Sequence, residues 1–161
     1  MPVRVRSRLR RSCLVLSAIE SVTARMLCAA GCPNAEVSIE FIGDRRMRRL
    51  NRIYRRMDRT TDVLAFGMRE ANGPRTALLG DVVIALPIAI RQAHELGHSV
   101  DAELITLLIH GIVHLLGYDH ERSAAEARRM SRKEREIFNR IVPVPRLHRP
   151  ARASRHHAAA H

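Results

Sequence analysis

The sequence predicts a single α+β domain of about four strands and about five helices, and three observations support this. At 161 residues the chain has the length of one domain that can bury a substantial core. Four short runs, near residues 3–6, 36–42, 62–66 and 78–85, are rich in Val, Ile, Leu and Phe and bounded by turn residues. Between and after them, apolar residues recur at helical spacing in five longer segments.

Taken in order, Val3 and Val5 alternate with Arg4 and Arg6 as a short strand. Val15, Ile19, Val22 and Met26 then mark a helix that Gly31 and Pro33 end. This opening has the outline of an export signal: a basic start, an apolar stretch from Cys13 to Ile19, and AAGC ending at Cys32. Glu20 and Arg25 interrupt the apolar core that such a signal needs, so strand and helix are the better reading.

In residues 36–42, Val37, Ile39 and Phe41 point inward against Ser38 and Glu40, a half-buried strand. Gly43 turns the chain, Asp44 can cap, and Met47, Leu50, Tyr54 and Met57 mark one face of a helix. The same segment carries Arg45, Arg46, Arg48, Arg49, Arg52, Arg55, Arg56 and Arg59. Like charges one turn apart oppose a helix, so this density calls for an anion, and a phosphate backbone is the obvious one. The bland reading is a solvated helix face.

Residues 62–66 and 78–85 are the next two strands, a long-looped hairpin whose connection carries Asn72, Gly73 and Pro74 as turn chemistry. Pro87 suits the first turn of a helix running to about Glu95, which Gly97 ends. Ser99 caps the next helix, whose Leu104, Leu107, Leu108, Val113 and Leu115 place it deep in the core until Gly117. A capping box of Ser123 and Glu126 opens the last helix, buried through Ala127, Met130, Ile137, Phe138 and Ile141. From Pro143 to His161 there is no acid and little to bury, so the expected organisation is a folded domain over 1–142 and a basic disordered tail over 143–161.

Formal net charge is +12, from 28 basic and 16 acidic residues, and 27 of the 28 are arginine because Lys133 is the one lysine. Such an excess favours polyanions, nucleic acid before anionic membrane. No run approaches the roughly 18 apolar residues of a membrane span, and no membrane role is expected. The odd set Cys13, Cys28 and Cys32 matches no metal or redox spacing, which points to buried free thiols in a reducing, cytoplasmic setting.

Residues 110–120, HGIVHLLGYDH, hold the chemistry. His110 and His114 lie one helical turn apart and can aim at one point, while Gly117 lets the chain leave the helix so that His120 swings back toward it. Three independent buried histidines would each need a partner in an aliphatic segment, whereas one metal ion serves all three. Three imidazoles suit zinc and leave a fourth position open, the pattern of a catalytic site. Asp119 can either orient a ligand or cap the turn. His94 and His98 repeat the spacing, but Gly97 breaks the helix between them and no third ligand stands near.

The spacing HxxxHxxGxxH is shared with metzincin peptidases, which carry a glutamate general base after the first histidine. Gly111 stands there instead, so a zinc peptidase is disfavoured. A metal that acidifies water, beside arginines that neutralise phosphate charge, fits a phosphodiester better.

HGIVHLLGYDH resembles the signature HGxLHLxGYDH of the YbeY family of bacterial endoribonucleases and rRNA maturation factors. NRIYRRMDRTTDVLAF is similar to that family's second motif, LNxxYRxxDxPTDVLSFP, and LGDVVIA and ELGHSVDAEL resemble two weaker segments, so the likeness covers about residues 35–140. It implies a compact domain with a small mixed sheet, one Zn2+ on His110, His114 and His120, and Arg55 as the cleft arginine tied to RNA cleavage. It further implies single-strand-specific endoribonuclease activity in 16S 3′-end maturation and ribosome quality control, with ribosomal RNA and the ribosome or its small subunit as partners. Thr60, Ala65 and Gly67 depart from the family's usual Pro, Ser and Pro. The expectation is thus a zinc-dependent endoribonuclease; the alternatives are an RNA-binding ribosome assembly factor with structural zinc and, less favoured, a zinc peptidase.

Overall fold

The computed structural model describes residues 3–10, 12–67 and 77–149. The order of elements is β1 (Val3–Ser7), α1 (Leu16–Ala29), β2 (Glu36–Ile42), α2 (Asp44–Arg55), β3 (Val63–Gly67), β4 (Leu78–Ala85), α3 (Leu86–Leu96), α4 (Val100–Leu115) and α5 (Ala124–Ile141). Among the described residues the predicted α+β architecture is therefore found, with four strands in one sheet and five helices.

The sheet order is β1-β2-β4-β3. β1, β2 and β4 run parallel, and β3 returns antiparallel along β4 as the predicted hairpin partner. The connection expected to hold Asn72, Gly73 and Pro74 lies outside the described residues, apart from its ends. Between Glu36 and Val37 the register slips by one residue of β4. Gly80 lies just beyond that slip, at φ +144°, where a Cβ would stand 2.1 Å from the Phe66 carbonyl oxygen. Only glycine fits that approach.

Alternation along the strands separates two faces. Val3, Val37, Ile39, Phe41, Val82 and Ile84 join the large core with α1, α4 and α5. On the opposite face Ile42, Leu64, Val83 and Ala85 pack with Met47 of α2 and Ile88 of α3. This second core covers one end of its face only, and Ser38, Glu40 and Asp81 line an open groove beside it.

α4 is the central helix. Ten of its sixteen residues are buried, and it touches β3, β4, α1, α3 and α5. Ser99 caps it as predicted, its side chain accepting from the Ala102 N–H at 3.1 Å. At Gly111 the helix comes so close to the sheet that a Cβ would lie 2.6 Å from Val82 Cγ1. Ser123 caps α5 in the same way, accepting from the Glu126 N–H. Among the described residues no single helix is long and apolar enough to cross a membrane.

Two expectations are corrected. Pro143–Arg149 do not begin an unpacked tail. Asp101 Oδ1, in the first turn of α4, accepts the Leu147 and His148 N–H groups at 2.7 and 2.8 Å. The backbone pairs with Cys13 and Val15, and Leu147 is fully buried. Burying one leucine side chain contributes about 1.5–3 kcal/mol, enough to hold a short segment whose amides are also satisfied. The packed domain thus extends past residue 142 to Arg149, and the rest of the expected tail lies outside the described residues. The cysteines are also not uniformly buried: Cys28 is exposed and Cys13 half-buried.

Candidate metal centre and its arginine

The last two turns of α4 present His110 and His114 on one side, half-buried, away from the strand that Gly111 meets. Their rings stand edge to face with centroids 4.7 Å apart. The helix ends at Leu115 with Leu116 as its C-cap, and Gly117 follows at φ +104°, a conformation that L side chains rarely adopt. Its N–H donates to the His114 carbonyl, and the Tyr118 N–H to that of Val113. Asp119 Oδ1 then accepts the Glu121 N–H at 3.0 Å, closing the turn. Of the two roles open to Asp119, the structure gives it the turn.

That loop returns His120 to the helix, with ring centroids 5.7 and 5.5 Å from those of His110 and His114. One ring nitrogen from each histidine lies within 4.8 Å of the others, a donor set that can hold a metal ion. Among the described residues no other group of three metal-ligating side chains meets that test.

Chemistry supports the fit. Burial pushes the His114 pKa below its ordinary value, and the nearby His110 and His120 lower it further, against Asp119 and Glu134. A neutral imidazole is the form that ligates. His110 Nδ1 lies 3.3 Å from Glu134 Oε2 of α5. An Nδ1–H donated to that carboxylate leaves the lone pair on Nε2, fixing the tautomer as orienting carboxylates do in metal sites.

Sequence reasoning missed Glu134, although a signal was present. It falls between Met130 and Ile137 on the buried stripe of α5, where an acid is out of place unless it has a partner.

Arg55 ends α2. Its Nη2 lies 3.6 Å from Glu121 Oε1, the residue after His120, so the structure brings the predicted arginine to the loop that carries the third histidine. The turn beyond it is built by the second motif. Arg56 takes a left-handed conformation at φ 56°, and buried Asn51 donates from Nδ2 to the Arg59 carbonyl at 2.8 Å. Arg48 grips Asp58 through two hydrogen bonds of 3.0 and 3.2 Å, which hold the Asp58 carboxyl below the usual carboxylate range. Arg48 therefore closes a loop and is not an open phosphate contact as its position in the arginine run suggested.

His94 and His98 join no ligand cluster among the described residues. His98 Nε2 pairs at 2.6 Å with Glu103, a buried carboxylate. Gly111 now has a physical role as well. A glutamate there would be driven into Val82 on β4, so this packing has no room for the peptidase base.

A family profile described as Endoribonuclease YbeY matches residues 8–142. An Endoribonuclease YbeY of Geobacter metallireducens is 46% identical over 141 residues, covering 86% of this chain and 94% of its own. That of Aquifex aeolicus is 41% identical over 138 residues, covering 86% and 91%. Among solved structures, the solution structure of TM1509 from Thermotoga maritima superposes with a TM-score of 0.57 at 22% identity, covering 85% of this chain and 89% of that one, a likeness of fold.

Proposed function

We propose, on the premise that this chain belongs to the endoribonuclease YbeY family, that it is a metal-dependent hydrolase of single-stranded RNA. Its substrate is ribosomal RNA, including the 3′ end of 16S RNA, and its setting is the cytoplasm, on the ribosome or its small subunit, in maturation and quality control. The observation that carries this reading is the convergence of His110, His114 and His120 beside an arginine at the same loop.

The three histidines are the residues that would hold one Zn2+ ion. A bound zinc supplies Lewis acidity to a phosphodiester oxygen and acidifies water near neutral pH. Glu134 keeps the His110 Nδ1 proton and with it the ring orientation. Arg55 exchanges Glu121 for the RNA phosphate and neutralises the charge that gathers on the phosphate oxygens as the phosphorus–oxygen bond breaks. Losing one such donor costs on the order of 10²–10³ in rate.

The test joins elemental analysis to cleavage of single-stranded RNA by nuclease-free protein. Wild type should cut in proportion to its bound zinc, His114→Ala should lose both metal and cleavage, and Arg55→Glu should keep metal but lose cleavage. Full cleavage by metal-free His114→Ala overturns the mechanism. Tight RNA binding with zinc bound and no cleavage would instead make the chain an assembly factor with structural zinc.

A further inference from the structure

We propose that the groove between α2 and the open end of the second sheet face holds the nucleotides flanking the scissile bond, bases inward and phosphates on its rim. This rests on the reading of the protein as a single-strand ribonuclease. The groove encloses about 560 Å³, within the range of ligand sites.

Charge identifies the occupant. Arg6, Arg8, Arg46 and Arg49 border the groove against two carboxylates, Glu40 and Asp81. Glu40 is shared by three of these arginines, with Arg6 at 3.1 Å, Arg46 at 4.0 Å and Arg8 hydrogen-bonded to it. Arg49 has no ion pair among the described residues. Positive charge is left over at the rim, where it can meet phosphates.

The walls suit bases. The chain has only five Tyr and Phe residues, and two of them meet here, Tyr54 and Phe66, edge to face at 5.0 Å. Tyr54 is 64% exposed and Ile53 beside it 57%. An exposed ring on the wall of a basic groove is a stacking platform for an unpaired base.

The floor sets orientation. Asp81 lies between Ser38 and Phe66 in the sheet register, and its carboxylate has no hydrogen bond or ion pair among the described residues. A carboxylate at this depth repels phosphate and accepts N–H groups, which base edges carry. Bases are therefore drawn to the floor and phosphates to the arginines.

Continuity ties the groove to the reaction. Tyr54 immediately precedes Arg55, which reaches the His120 loop. Arg55 stands just beyond the groove's lining, roughly 9–14 Å along the helix from Arg46 and Arg49, so a strand that leaves the groove past Tyr54 can present its next phosphate to it. Single-strand preference then follows, because a duplex hides the base edges and faces that the groove would hold.

The experiment compares wild type, the pair Arg46→Gln with Arg49→Gln, Tyr54→Ala and Asp81→Asn on a long single-stranded RNA and on a trinucleotide. Equilibrium binding of the long RNA to metal-free protein is measured in parallel by fluorescence anisotropy. The arginine pair should lose about tenfold in affinity and flatten the salt dependence by about one to one and a half log units per log unit of salt, while losing much less on the trinucleotide. Tyr54→Ala should weaken binding about tenfold at unchanged salt slope. Asp81→Asn should alter the preference among homopolymers. Wild-type affinity in both the arginine pair and Tyr54→Ala overturns the groove assignment. If wild type cuts neither RNA, the ribonuclease reading fails, and binding alone still decides the groove.

Discussion

Arg55 at the end of α2 and Glu121 in the loop after α4 face each other across 3.6 Å, and this pair spans the gap between the arginine helix and the histidine cluster. Both side chains are well exposed, 46% and 64%, so the pair adds little to stability. On the proposed reading its effect is on the site, because the carboxylate occupies the arginine assigned to the RNA phosphate.

Glu121→Gln should therefore tighten RNA binding. An exposed ion pair is worth about 0–1 kcal/mol, so the gain in affinity is up to about fivefold. Steady-state kinetics would show a lower KM for RNA. The gain should vanish in an Arg55→Gln background, since a double-mutant cycle isolates the pair. An equal gain without Arg55 would mean that only bulk charge had changed.

Glu134→Gln should weaken metal binding about 10–100-fold, the usual cost of removing an orienting carboxylate. Competition with a chelator measures this without reference to cleavage. Glu134 is about a quarter exposed, so the fold should survive, and an unchanged thermal transition of the metal-free protein would confirm it.

Gly111→Ala should destabilise the protein although alanine is the better helix former. The added Cβ stands 2.6 Å from Val82 Cγ1, a stiff β-branched side chain on a buried strand. Overpacking of this kind costs about 1–3 kcal/mol, more than the propensity gain of about 1 kcal/mol. Val82→Ala in the same chain should recover much of the loss in a denaturant titration.

Proton binding at His114 should make the metal-free protein less stable in mild acid. Its folded pKa lies below the unfolded value of about 6.5, so the unfolded state binds more protons between the two. Stability is full above about pH 6.5 and falls as pH drops toward the folded pKa. Denaturant midpoints for wild type and His114→Gln at pH 8 and pH 5.5 would show a smaller fall in the variant.

Much of the fold was legible because the core is aliphatic and its patterns are local. β2 alternates cleanly, Ser99 and Ser123 cap the helices they precede, and the apolar run of α4 marked it as central. The histidine cluster was legible for the same reason, since helix pitch and one glycine place all three rings. Partners distant in sequence were not. Leu147 looked like part of a polar tail because nothing nearby in the chain reveals Asp101, 46 residues earlier, as the acceptor of its amide.

By itself the sequence determined the element order, the three histidines, the arginine-rich helix and the absence of a glutamate at position 111. Those depend on spacing within one element and on residue chemistry. Tertiary structure alone decided which arginines remain open and which are tied to Asp58 or Glu121, that Glu134 stands beside His110, and that an open sheet face forms a groove walled by Tyr54. Each of these joins side chains from different elements, and the packing of those elements fixes their distances. Even Gly111 belongs to both: its identity disfavoured a peptidase, and its contact with Val82 shows why the helix must be bare there.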